Sequence, residues 1–422
     1  MRRQRQIQSG AYAIRSRGRF DDLFWLAPQN RVDGVAPLLF ADARNNRYSL
    51  NNQFVRASDI FALSSAAGKT YIDASGVLRT AGANELRVDH SNGVPEALFE
   101  GGFTDFITQR EDISSTAWAA AALPNPSPAT PNQGIAPNGN NVATLMSPSS
   151  FSPHRRALIT ALTAGATYTA SIWVKRAPTG SATHFRLTAN NTSVWLAGAT
   201  RKVLLTDTWQ RVTMTWSNIN TANAYVHIGA RTDTGSDDSD CFGDVLVWGA
   251  QAVAGPIAMS NVSTGVGVVA VTADICPLTV AARGVLLGSA GAVAARAVYP
   301  VNTIANSRLI TLGSNSMITP SSGLVQSFTN NGTTSLVANT GSGSWASGAG
   351  GSVSWGGSGR RIAMNGGAVV EDAGTIGAGS TIHVGPSTGM QAGQIIRLRQ
   401  LVGWTLADRA SAAAVQAQAR AA

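Results

Sequence analysis

Apolar residues recur at every second position through the middle of the chain. In 168–175 (YTASIWVK), Tyr168, Ala170, Ile172 and Val174 share one face, while Trp173 points the other way. The same spacing in 209–216 (WQRVTMTW) collects Val212, Met214 and Trp216. The segments 224–230 (AYVHIGA) and 242–248 (FGDVLVW) continue the series. A period of two marks a strand with one buried face, because successive side chains leave a pleated backbone on opposite sides. Such strands, separated by turn chemistry, predict a β-sandwich.

Beyond residue 257 the pattern repeats with smaller side chains. Candidate strands there are 284–287, 295–299, 309–312, 324–328, 351–355, 361–364, 381–384 and 395–401, and Asn365, Gly366 and Gly367 form a tight-hairpin signal. Upstream, 54–100 reads as short strands and turns, such as 70–73 leading into Ser75 and Gly76. Pro124, Pro126, Pro128, Pro131 and Pro137 make 123–137 a surface loop. Near the end the period lengthens. Thr405 can cap a helix with Asp408 in its first turn, running through 412–419. The expected fold is all-β: an N-terminal arm, two β-sandwich domains and a short C-terminal helix.

Composition supports that picture. Charged residues make up 13% of the 422, against about a quarter in an average soluble domain, and there are 44 glycines. Exposed helices want Glu, Lys and Gln; this chain has the residues of turns and strands instead. The net charge of +9 is carried by arginine, since Lys69, Lys175 and Lys202 are the only lysines. That bias fits a GC-rich genome, and it also fits an arginine surface facing phosphate or acidic sugar. Arg2, Arg3, Arg5, Arg15, Arg17 and Arg19 crowd the start, an arm suited to anchoring on a neighbouring protein. No aromatic–basic interleaving follows, so nucleic acid is not expected as a partner. No signal peptide and no membrane-spanning stretch are read, which implies folding in a cytoplasm. Cys241 and Cys276 are too few for a disulfide framework and read as buried thiols.

A resemblance adds to this. Residues 54–58 (FVRAS), 71–80 (YIDASGVLRT) and 84–90 (NELRVDH) resemble a segment of phage virion proteins, with Glu100 where those proteins carry a glutamate. The stretch 101–107 (GGFTDFI) departs from their pattern. Residues 110–118 (REDISSTAW) then resemble the entry to a jelly roll of the family 4 and 9 carbohydrate-binding modules, matched also by 168–175, 209–212 and 247–251. Residues 259–275, with 271–274 (VTAD), resemble the connector that leaves that module. Residues 361–367, 393–398 and 406–409 resemble laminin-G or concanavalin-like sandwiches. The resemblance covers roughly 54–410 and is to tailed-phage or gene-transfer-agent-like virion proteins. It implies a basic arm or anchor over 1–53, a short-strand connector over 54–105, a carbohydrate-binding-module-like jelly roll over 106–256, and a concanavalin-like sandwich with the terminal helix over 257–422. It further implies a non-enzymatic spike, fibre or tail component, made in the host cytoplasm and carried on the virion as a homo-oligomer. Its partners would be other virion proteins and host surface polysaccharide. Alternatives left open are a purely structural decoration or tail-tip subunit and a cellular carbohydrate-binding protein.

Catalytic chemistry is not expected. The five histidines lack metal-ligand spacing. The Gly-x-Ser-x-Gly match at 385–389 is followed by another strand, whereas a nucleophile elbow needs a helix. The acidic run 233–240, with Asp233, Asp237, Asp238 and Asp240, is a candidate calcium loop, although its spacing matches no known one. For sugar, aromatic faces and planar hydrogen bonders are needed. Trp173, His184, Arg186, Trp195, Tyr225 and His227 form the candidate groove, with Trp209, Trp216 and Trp248 assigned to the core.

Overall fold

In the middle of the chain, alternation becomes a two-sheet sandwich. The structure is a computed structural model describing residues 27–118, 126–149, 155–191, 195–218, 223–229, 238–262, 267–300, 308–312, 315–320, 325–330, 334–339, 348–374, 381–387, 390 and 394–420. Strand Thr167–Arg176 lies between Gln210–Ser217 and Val245–Ala254, and the sheet continues through Ala143–Met146 to Ala129–Gly134. The second sheet runs Arg155–Ile159, Ala224–Ile228, His184–Asn190, Trp195–Leu204. Tyr168, Ala170, Ile172, Val212, Met214 and Trp216 from the first sheet pack against Ala157, Phe185, Leu187, Val226 and Ile228 from the second. Tyr168 stacks on Trp216 with ring centroids 5.9 Å apart. Burial of each such side chain contributes about 1.5–3 kcal/mol, which is why the alternation dictates the register.

One strand changes parity. Val245 and Val247 point into this core, and so do Ala250 and Ala252. The switch sits at Gly249, whose φ of +63° is left-handed, where the pairing with Thr167–Arg176 slips between Ser171 and Trp173. This is a β-bulge: an extra residue re-aims the strand. A Cβ on Gly249 would stand 3.2 Å from both Trp173 Cδ1 and Asn261 Nδ2. Before the bulge, Trp248 follows Leu246 by ordinary alternation and packs with Leu78, Ala143 and Leu246 on the opposite face; after it, Ala250 and Ala252 return to the core.

The second body is built on a ten-stranded sheet centred on Ile395–Thr405. That long strand pairs with Gly291–Val298 on one side; on the other it pairs with Leu39–Asp42 and, lower down, with Glu96–Glu100. Val293, Ala295, Leu401 and Phe99 face one core, shared with Ile310, Ile382 and Val384 of a facing sheet. On the back, Ala292, Ala294 and Trp404 receive Val415 and Ala419 of the helix Ala412–Arg420. The all-β expectation is met: among the described residues the helices are short and few.

Several boundaries differ from the sequence reading. Residues 39–54 are strands of this second body, not part of an arm, and 87–100 belong to the same sheet rather than to a connector. Leu39, Phe40 and Ala41 are fully buried there. The terminal helix is capped by Ser411, whose Oγ accepts from Ala414 N at 3.2 Å; Thr405 instead ends the long strand. Residues 280–284 are helical, so 284–287 is the turn that follows a helix. Part of the proline-rich loop, Ala129–Gly134, is an exposed edge strand, a place where proline is tolerated. The six arginines of the arm lie outside the described residues.

Candidate ligand-binding surfaces

Five of the six groove residues fall on the four-stranded sheet. Because Ala157, Phe185, Leu187, Val226 and Ile228 face the core, their neighbours face outward. Tyr225 and His227 lie side by side on Ala224–Ile228, rings 6.1 Å apart. Their register partners are Leu158 and Arg156 on one flank and Asn190 and Thr188 on the other. The Arg156 guanidinium sits 4.2 Å over the Tyr225 ring, a cation–π contact. His227 Nε2 and Asn190 Oδ1 are hydrogen-bonded at 2.8 Å. Trp195 begins the edge strand, its backbone paired with Asn190, and its side chain lies outside the described residues. The result is a row of aromatic and planar polar groups on one sheet face.

His184 and Arg186 continue that face but are engaged with acids. Arg186 Nη2 meets Asp238 Oδ1 at 2.5 Å, Lys202 Nζ meets Asp240 Oδ1 at 2.6 Å, and His184 Nδ1 lies 3.0 Å from Asp240 Oδ2. The calcium expectation is altered by this. Asp238 and Asp240 already have cationic neighbours from the sheet, Arg186 and Lys202, and these two acids neutralise them. Asp233 and Asp237 lie outside the described residues. Cys241, next to these acids, is buried, and burial pushes its thiol up to about 12.

Trp173 goes elsewhere. It faces away from the core, as read, but on the other sheet, inside a cleft of about 610 Å³. Its floor is the outward face of Thr167–Arg176 and Gln210–Ser217, with Thr169, Trp209, Arg211, Thr213 and Thr215. Tyr71, Asp89 and His90 line it from upstream, Met259 and Ser260 from the connector, and Arg397 from the second body. Trp173 Nε1 donates to Asn261 Oδ1 at 2.9 Å, and Trp209 Nε1 donates to Ile135 O at 2.9 Å. Of the tryptophans assigned to the core, Trp216 is there, Trp248 is buried beneath this cleft's margin, and Trp209 lines the cleft itself.

Behind the cleft lies a buried ion cluster. Arg87 bridges Glu100 at 2.5 Å and Asp274 at 2.6 Å, while Lys69 meets Asp274 at 2.6 Å, all four side chains almost without exposure. Ser260 N donates to Glu100 Oε1 at 2.7 Å, and Glu100 N donates to Asp274 Oδ2 at 2.8 Å. Burial pushes the Glu100 carboxyl up, but Arg87, the Ser260 hydroxyl and Lys69 outweigh it and hold it below the usual carboxylate range. Beside the cluster, Arg397 pairs with Asp89 at 2.5 Å and Arg399 with Glu96 at 2.8 Å. Arg211 stands apart: Nε and Nη2 contact Ser171 Oγ at 3.2 and 2.9 Å, and Nη2 donates to Gln251 Oε1 at 2.9 Å and Met259 O at 2.7 Å. Burial lowers it to about 10, so it remains a cation at neutral pH.

These bodies define an all-β protein in which a two-sheet sandwich is joined to a larger sheet assembly by a buried ionic seam. No family model matches the chain, and the comparison with curated proteins returns no match. Solved structures overlap it at low scores. One, described as "CBM4 structure and function", is 14% identical, covers 33% of this chain and 99% of its own, at a TM-score of 0.22. The CBM22-1–CBM22-2 tandem of Paenibacillus barcinonensis Xyn10C is 11% identical over 73% of this chain and 92% of its own, at 0.28. The enzymatically active domain of bacteriophage CBA120 tailspike protein 4 is 8% identical over 34% of this chain and 21% of its own, at 0.24. Scores this low carry no inference about ligand or role.

Proposed function

We propose that this chain is a non-catalytic polysaccharide-binding protein of a phage-like particle. Its basic N-terminal arm is held by neighbouring particle proteins, and its jelly roll meets polysaccharide on a host surface. The observation that carries the binding half is the outward face of the four-stranded sheet. Tyr225 offers a half-buried ring with the half-buried Arg156 guanidinium over it, and the buried side chains of His227, Asn190 and Thr188 lie beneath and beside it in adjacent register. Flat rings beside planar donors and acceptors suit a pyranose, whose C–H face is apolar and whose edge is polar. The particle half is supported by the order of the virion-type motifs along the chain.

Affinity electrophoresis of the full chain through gels containing capsular polysaccharide or lipopolysaccharide tests the reading. Retardation is expected, and Tyr225→Ala should abolish it while the far-ultraviolet circular dichroism stays unchanged. A chain that migrates freely through every host fraction would sink the binding half and leave a subunit that makes protein contacts only. Recovery of the chain among purified particles by mass spectrometry is the expected result for the other half. Its absence from every particle preparation would overturn that.

A further inference from the structure

The cleft lined by Trp173 has no role in that reading, and one cation in its wall, Arg211, is bonded to no acid, the carboxylates of Glu100, Asp105 and Asp89 acting on it only from a distance. Around it, Lys69 and Arg87 are matched by Glu100 and Asp274, Arg397 and Arg399 by Asp89 and Glu96, and Arg110 by Asp105. Arg211 is bonded only to neutral groups: a hydroxyl, an amide oxygen and a backbone carbonyl. Among the described residues no carboxylate comes within 4 Å of it. Those bonds are made by Nε and Nη2. A guanidinium in a cleft wall with neutral partners attracts an anion, and its planar fork matches a carboxylate.

The rest of the lining narrows the anion to one carried on a ring. Trp173 and Trp209 have both committed their indole N–H groups to the chain, so they present apolar ring surface to the cleft. Thr213 and Thr215 add hydroxyls on the same strand face as Arg211, and His90 adds an imidazole. A volume of about 610 Å³ is that of a small-ligand site, roughly 300–1,000 Å³ in general. We propose that this cleft is a second binding site, separate from the sheet face, that takes a carboxylated sugar residue of an acidic polysaccharide, with the carboxylate on Arg211 and the ring against Trp209 and Trp173.

Isothermal titration of the full chain with glucuronate, glucose and acetate tests this. Glucuronate joins ring and carboxylate; glucose has only the ring and acetate only the charge. Glucuronate should bind about tenfold or more tightly than either control, the ratio expected of one charge-assisted contact. Arg211→Gln should remove that preference. Because Arg211 is half-buried and bonded to the chain, Thr213→Glu provides a second variant: Thr213 is exposed, and a glutamate there gives Arg211 an internal counter-charge without disturbing the core. It too should cost about tenfold in glucuronate affinity with an unchanged melting temperature. Equal binding of glucose and glucuronate, equal binding of acetate, or undiminished glucuronate binding by Thr213→Glu would each overturn the proposal. Tyr225→Ala should leave glucuronate binding intact, so failure of the sheet-face reading and failure of this one are told apart.

Discussion

Asp274→Ala removes one acid from a cluster almost wholly shielded from solvent. In the parent, Asp274 accepts from Lys69 Nζ and Arg87 Nη2, both at 2.6 Å, and from Glu100 N at 2.8 Å. Side-chain exposure of Asp274, Lys69 and Arg87 is 1% each. The cluster then holds two cations and one anion, and Lys69 loses the only acid it is bonded to, Glu100 remaining as a more distant opposite charge. Breaking a buried pair in this way costs about 3–5 kcal/mol, because the surviving charge keeps its desolvation penalty. At about 2–4 °C per kcal/mol for a cooperative unit of roughly 150–250 residues, melting should fall by about 6–20 °C. Asp274→Asn keeps the shape and the bond from Glu100 N, so its cost should be smaller. Lys69→Met combined with Asp274→Asn restores neutrality and should recover part of the loss, with a coupling of about 0.5–3 kcal/mol in a double-mutant cycle. Differential scanning calorimetry measures all of these. An Asp274→Ala melting point within about 2 °C of the parent, or a double mutant that merely adds its two costs, would refute the reasoning.

The same seam sets the acid response. The Asp89 and Glu100 carboxyls are held below their ordinary values: burial raises each, and Arg397 or Arg87 with added hydrogen bonds outweighs it. Acids depressed in the folded state stabilise above their unfolded pKa, about 4, and lose that contribution as pH falls, so the urea midpoint should drop between about pH 5 and about pH 3. A midpoint that rises over that interval would contradict the assignment. Gly249→Ala forces a side chain into a left-handed position against Trp173 and Asn261, and should cost about 1–3 kcal/mol and alter tryptophan emission; an unperturbed spectrum would deny the bulge its role. Deleting residues 1–50 should unfold the second body, since Leu39 and Phe40 alone bury about 3–6 kcal/mol of side chain. Survival of the truncation would return those strands to the arm.

What could be read from the chain follows the range of the physics involved. Alternation is local, so the faces of 168–175 and 209–216 were legible, including Trp173 on the side away from the core. Tyr225 and His227 sharing a face is likewise a period-two statement. Pairing across long separations is not local. Nothing in 39–42 announces that it pairs with 400–403, because a short apolar run looks alike in an arm and in a central sheet. The same blindness split the candidate groove. Trp173 and Tyr225 both face outward, but from opposite sheets, and parity alone cannot say which sheet a strand joins. Arg211 carried no signal at all: an outward arginine on an amphipathic strand is ordinary until the roof of 70–91 and 256–260 is placed over it.

The short motifs at 71–80, 84–90 and 271–274 acquire a physical reason from the fold. Glu100, at the motif glutamate, and Asp274, closing 271–274, stand 174 residues apart in sequence and share Arg87, which lies in the 84–90 motif. Tyr71, in the 71–80 motif, lines the cleft, and the Thr70 carbonyl lies 2.8 Å from Ser260 Oγ in the connector. Segments that read as separate short motifs are thus one seam. It closes only when the sandwich lies between them, since the intervening residues 103–254 must return the chain to its starting edge. A buried ionic seam is a poor source of net stability compared with an apolar one, but it tolerates few alternative registers, because any slip strands a charge. Its use here therefore fixes how the two bodies meet. That geometry in turn roofs the outward face of the sandwich and leaves Arg211, among the described residues, bonded to neutral groups, with Glu100, Asp105 and Asp89 acting on it only from a distance.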